Sequence, residues 1–126
     1  MNLHHHGYVV NDITAYAIKL KLQSPLLLVT DPIQNAHIAL YKGLDKVYTE
    51  LIQPLSTSSP TWNFLQKKGE GFHHHCYECS EKQMWEYVAL QRLIKVMGPV
   101  PAVLFGGRTV YFFVTRKGEV KEFLIR

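Results

Sequence analysis

Alternation and period divide the chain into short extended segments and two amphipathic stretches. Residues 3–10, LHHHGYVV, fit a strand on which Leu3, His5, Gly7 and Val9 share one side. Asn11 and Asp12 then start a helix carrying Ile13, Ala17, Ile18 and Leu20, with Pro25 as the stop. Leu26–Val29 and Ala36–Tyr41 read as strands, and Lys46–Ile52 alternates until Pro54, with Gly43 and Asp45 as turn material before it. Residues 72–79, FHHHCYEC, begin the same succession again. Ser80 and Gln83 form an S-x-x-Q capping box, and Met84, Trp85, Val88, Leu93, Ile94 and Met97 predict a helix reaching Gly98. Three extended segments follow: a short one at Val103–Phe105, a longer one at Thr109–Thr115, and Val120–Ile125 after a Lys117-Gly118 turn.

The two His triplets in matching contexts mark an internal repeat, and each half reads strand, helix, three strands. The predicted class is therefore α+β, with two βαβββ modules at about 1–55 and 71–126. Between them, at about 56–70, Ser59, Pro60, Trp62, Phe64 and Leu65 predict a short connector helix ending near Gly69. Neither half is long enough to bury a core of its own, so residues 1–126 are expected to form one cooperative domain.

Composition narrows the function classes. A hydrophobic fraction of 47% and a charged fraction of 19% are ordinary for a globular chain. No apolar run approaches the length that spans a bilayer, and MNLHHHGYVV lacks the pattern of a secretory signal, so a cytoplasmic protein without membrane contact is expected. The net charge of +4 comes from scattered basic residues, which argues against nucleic acid and for attraction of a small anionic molecule. Cys76 and Cys79 are spaced as in a redox pair or half a zinc site. On a strand they point to opposite faces, so two buried thiols are the plainer expectation.

The candidate chemistry lies in the repeat. On the second strand His74 occupies the place of His5, and each is followed two positions later by a small residue, Gly7 or Cys76, which leaves room for something to approach the ring. Alternation puts Phe72 on the His74 side and sends His4, His6, His73 and His75 to the other face, where no chemistry is assigned to them. Each half also carries a carboxylate amid apolar residues near the end of its last strand, Glu50 in YTELI and Glu122 in VKEFLI. Two imidazoles and two carboxylates meeting at one point suit a five- or six-coordinate divalent metal with water in the open positions.

The same residues resemble the vicinal-oxygen-chelate superfamily of glyoxalases, bleomycin-resistance proteins and dioxygenases. MNLHHHGYVVNDI is similar to its opening D-H-I-G-I-A-V-x-D-I, and the stretch from Glu50 to Cys79 looks very like E-L-I-E-P-L…G-E-G-x-H-H-I-C-F-E-V of methylmalonyl-CoA epimerase-like proteins. GGRTVYFFVTRKGEVKEFLI resembles that family's close. The resemblance implies a curved mixed sheet around a metal-binding cup and a homodimer. It implies one divalent metal (Zn, Ni, Co or Mn) on His5, Glu50, His74 and Glu122, with Glu122 and Glu50 as the catalytic carboxylates. The expected activity is that of a lyase or isomerase of the glyoxalase or epimerase type, moving a proton next to a polarised carbonyl of an anionic acyl or oxoaldehyde-derived substrate. The second base of the epimerases has only Asp31 as a counterpart. Rival readings are a metal-free antibiotic-binding protein, an iron dioxygenase and an accessory protein with a vestigial site; retention of all four ligand types favours the enzyme over the binder.

Overall fold

The computed structural model describes residues Met1–Arg126. Eight strands form one mixed sheet: β1 (Asn2–Val9), β2 (Leu27–Asp31), β3 (Ala36–Tyr41), β4 (Tyr48–Pro54), β5 (Gly71–Cys79), β6 (Ile94–Ala102), β7 (Arg108–Val114) and β8 (Val120–Ile125). Their spatial order is β2-β3-β4-β1-β5-β8-β7-β6, and the sheet curls into a half-barrel. β1 pairs parallel with β4, β5 pairs parallel with β8, and β1 and β5 run antiparallel at the centre. Each half thus repeats βαβββ about an approximate twofold between β1 and β5.

Three helices complete the fold: α1 (Ile13–Lys19), α2 (Trp62–Lys68) and α3 (Glu81–Gln91). Asp12 caps α1 by accepting from the Ala15 N–H. Ser80 and Gln83 form the expected capping box at α3. Both helices pack on the outer side of the sheet, α1 through Ile13, Tyr16 and Ala17 against Ala39, Tyr41 and Leu51, and α3 through Met84 and Val88 against Tyr111, Phe113 and Phe123. The inner side holds two further apolar clusters, Ala36, Ile38, Leu40, Ile52 and Leu104 in one half, and Cys76, Ala102, Val110, Phe112 and Leu124 in the other. Cys76 and Cys79 therefore belong to cores on opposite faces, both as buried free thiols.

Three element boundaries differ from the pattern. The helix predicted to reach Gly98 ends at Gln91, because Arg92 turns left-handed (φ 55°) and closes the last turn with its N–H on Ala89 and Val88 carbonyls. The following Ile94, Val96 and Val100 with Pro99 and Pro101 suit an edge strand, and Ile94 and Val96 face solvent. Val103–Phe105, expected as a strand, is a single 3-10 turn closed by left-handed Gly106. In the first half Leu44–Lys46 is likewise a 3-10 turn, which delays β4 to Tyr48 and makes Pro54 its last residue.

Candidate metal centre

The four candidate residues converge on the inner side of the sheet centre. His5 Nε2 lies 3.3 Å from His74 Nε2, 3.1 Å from Glu122 Oε1 and 3.5 Å from Glu50 Oε1. His74 Nε2 lies 3.0 Å from Glu122 Oε1 and 3.4 Å from Glu50 Oε1. All four side chains are buried. The topology explains the meeting: β1 and β5 are neighbours, and each has its carboxylate strand, β4 or β8, on its outer flank. In register, Glu50 stands beside Gly7 and Glu122 beside Cys76, so each half's carboxylate flanks its own small residue.

Those small residues face the imidazole of the opposite strand. Gly7 is the partner of His74, and Cys76 is the partner of His5. A Cβ on Gly7 would lie 2.1 Å from His74 Cε1 and 2.5 Å from both ring nitrogens, a collision with the edge of the ring. The room expected beside each histidine is thus taken by the other half's histidine.

Electrostatics bind the cluster together. Burial opposes ionisation of all four groups, yet the carboxylates of Glu50 and Glu122 hold His5 and His74 above the ordinary 6.5, and the two imidazoles hold both carboxyls below the ordinary 4.5. Burial, reinforced by Glu122, pushes the Cys76 thiol up to about 12, so this neighbour of His5 is a neutral thiol. Two ring nitrogens and two carboxylate oxygens within 4.8 Å of one another make a donor set for a divalent cation, with distances between donors that suit metal–ligand bonds of about 2.0–2.2 Å. The residues fit the group that the resemblance implies.

The flanking histidines divide differently from the alternation. Between Leu3/Tyr77 and His5/Cys76 the register slips by one, leaving His4 as the extra residue of β1; between Gly7/His74 and Tyr8/Phe72 it slips again, leaving His73 as the extra residue of β5. These two bulges break the alternation once on each strand. His4 Nδ1 sits 2.9 Å from His5 Nδ1, and His73 Nδ1 sits 2.9 Å from His74 Nδ1. Burial and the adjacent buried imidazole keep His4 and His73 below the ordinary value, His73 at about 3, so both are neutral rings. The expectation that these two lie on the far face is corrected by the bulges, which bring each ring against its neighbouring ligand histidine. Phe72, expected beside His74, is moved by the same slip to the outer face, where its ring meets Tyr8, His6 and His75. His6 and His75 do stay on that face, as a cross-strand pair with Nδ1 atoms 2.9 Å apart. A triplet of identical residues gives no sign of where alternation breaks; the one available signal is that both copies hold two more histidines than a strand with one ligand needs.

A cavity of about 310 Å³ adjoins the cluster. Ile52, two residues beyond Glu50, Val120, two before Glu122, and Phe112, the register partner of Glu122, form its wall nearest the centre. Val96, Met97, Val114 and Pro60 extend it, and only Gln34, Thr61 and His73 are polar; no lysine or arginine lines it. Phe105, from the 3-10 turn, stacks on His5 and covers that side. A neighbouring groove shares His73 and Val120 with the cavity and adds Lys68, Lys117 and Lys121 against a single carboxylate, Glu119. Asp31, the counterpart of a second base, is buried and its Oδ1 accepts from the N–H groups of Ile33 and Gln34, so it holds the β2–β3 turn. No helix is long and apolar enough to cross a membrane.

Comparison with known proteins bears on the family and the fold. Mitochondrial methylmalonyl-CoA epimerase of Dictyostelium discoideum is 27% identical over 88 residues, which are 67% of this chain and 53% of that protein. The chain thus spans about half the length of this relative. Among solved structures, hypothetical protein BH1468 from Bacillus halodurans superposes with a TM-score of 0.81 at 29% identity, covering 99% of this chain and 94% of its own. Methylmalonyl-CoA epimerase from Mycobacterium tuberculosis shares the fold at a TM-score of 0.80 and 21% identity, over 98% of this chain and 87% of that one. Residues 4–112 match the profile of the glyoxalase/bleomycin resistance protein/dioxygenase superfamily, and the chain belongs to it.

Proposed function

We propose that the protein is a divalent-metal-dependent isomerase or lyase of the methylmalonyl-CoA epimerase or glyoxalase type, which moves a proton on the carbon next to a carbonyl. The observation that carries this reading is the buried His5–Glu50–His74–Glu122 cluster, whose strand neighbours Ile52, His73, Phe112 and Val120 line an apolar cavity. His5, His74, Glu50 and Glu122 would hold the metal, which supplies Lewis-acid polarisation of a substrate oxygen. The rest is the work of the chain's own groups. Apolar walls exclude water and take an acyl portion, with Phe112 and Val120 fixing it beside Glu122. The Glu122 carboxylate accepts the proton at an oxygen and returns it.

The substrate class follows from the division of polarity. The cavity carries no cation, whereas the groove that shares His73 and Val120 with it presents Lys68, Lys117 and Lys121. An acyl thioester with an anionic carrier suits this pair of surfaces better than a small free anion. Epimerases as relatives support the same choice. The metal-free binding role is not favoured, since four buried ionisable ligands are costly without a cation to hold.

The test is deuterium exchange at the α-carbon of acyl thioesters and of 2-oxoaldehyde–thiol adducts, with Zn, Ni, Co or Mn added or chelated. Exchange that needs metal and disappears in Glu122→Gln supports the reading. Metal-independent exchange, or none with any member of either class, defeats it.

A further inference from the structure

We propose that His4 and His73 are positioning residues, each accepting the Nδ1–H of the neighbouring ligand imidazole and so presenting Nε2 of His5 and His74 to the shared centre. The inference rests on the metal-site reading and goes beyond it, because neither residue is a ligand. An imidazole that faces a metal through Nε2 has a single remaining polar site, Nδ1–H, and the ring is free to rotate or change tautomer unless something accepts that proton. For His5 the atom within reach is His4 Nδ1 at 2.9 Å, and for His74 it is His73 Nδ1 at the same distance. The rings meet edge to face, with interplanar angles of 77° and 89°, so each donor ring addresses its neighbour without stacking on it.

The backbone is arranged for this contact. Successive residues of a regular strand point to opposite faces and cannot bond through their rings on one side. Both strands depart from regularity at the needed residue: His4 is the unpaired residue of β1 and His73 the unpaired residue of β5. The two bulges occupy equivalent places in the two halves, immediately before each ligand. A bulge that re-aims a side chain beside a site is a common device, and here it occurs twice with the same result. Further out, His4 packs against Tyr48 and Phe105, and His73 against Phe64, which hold the accepting rings in turn. The accepting rings must carry their own proton on Nε2.

Two measurements test this. Long-range proton–nitrogen NMR of the imidazoles in the metal-free full chain should show Nδ1 protonated in His5 and His74, and Nδ1 bare with Nε2 protonated in His4 and His73. Zinc affinity should fall about tenfold to a hundredfold in His4→Ala and in His73→Ala. It should return to within about threefold of the parent in His4→Asp and His73→Gln, which restore an acceptor oxygen but not a ring. A bare Nδ1 on His5 and His74, or alanine variants with parental affinity, would overturn the proposal. If the parent chain binds no zinc, the metal reading fails by itself, and the tautomers still decide whether the four rings are ordered as stated.

Discussion

β1 with β4, and β5 with β8, perform the same task with unequal fit. Each pair supplies one imidazole and one carboxylate, but Glu122 approaches both imidazoles at 3.0–3.1 Å while Glu50 stands at 3.4–3.5 Å. Gly7 in the first half admits the opposing ring with no side chain of its own, whereas Cys76 in the second does so with a buried thiol. α1 has seven residues against eleven in α3. The difference teaches that a duplicated module can keep the geometry of a shared centre while its halves diverge in tolerance around it.

The sharpest way to break the equivalence is at the two small residues. Gly7→Ala places a methyl where the His74 ring lies, so the ring must leave; stoichiometric metal binding should be lost, with overpacking costing on the order of 1–3 kcal/mol. Cys76→Ala removes atoms instead and should cost about 1 kcal/mol while metal binding persists. Zinc titration and chemical denaturation of the two variants check this, and equal tolerance at both positions would contradict the stated packing.

The carboxylates give the next largest contrast. Glu122→Gln keeps a possible oxygen ligand but removes the base, so α-proton exchange should fall by about 100-fold or more. Glu50→Gln should fall less than about tenfold, since that side chain is asked only to ligate. Exchange rates on metal-loaded variants decide, and a larger loss at Glu50 would move the proton-transfer role to the first half.

Much of this arrangement is legible in the sequence. His5, His74, Glu50 and Glu122 stand out because a repeat relates them, and repetition survives where single-residue propensities are ambiguous. Two things were hidden for physical reasons. Ile94 and Met97 continue the apolar period of α3 well enough to extend it on paper, but left-handed Arg92 ends the helix, a backbone state that arginine does not advertise. The roles of His4 and His73 depend on one-residue slips between strands, which change the facing of a side chain without changing its neighbours in sequence.

Acidity and metal probe the cluster as a whole. Glu50 and Glu122 have lowered pKa values, so the stability they contribute is complete above about 4.5 and is lost as pH falls through the folded values. His5 and His74 are raised, so theirs is complete below 6.5 and is lost as pH rises through the folded values. His4, His6, His73 and His75 are depressed, chiefly by burial, so unfolding takes up protons and stability falls as pH drops below 6.5. The metal-free protein should therefore be most stable near pH 6.5. Bound zinc replaces the Nε2 protons, so the alkaline decline should vanish on loading. Thermal melts across pH, with and without zinc, check both arms; an alkaline decline that persists with zinc would place the ion elsewhere.

The smallest effect separates the two sheet edges. β6 carries Pro99 and Pro101, which lack N–H donors for further pairing, whereas β2 has no proline and exposes Leu27 and Leu28, with the 103–105 turn packed nearby. A second copy of the chain is therefore expected to add to β2 more easily than to β6. Leu28→Lys puts a charge on that edge and should reduce self-association in sedimentation at high concentration, while stability changes by no more than about 0.5 kcal/mol. Ile94→Lys on β6 should leave both unchanged, because that edge offers no ladder to protect. Equal responses at the two edges would mean that exposed apolar area, and not the open backbone of β2, governs how copies meet.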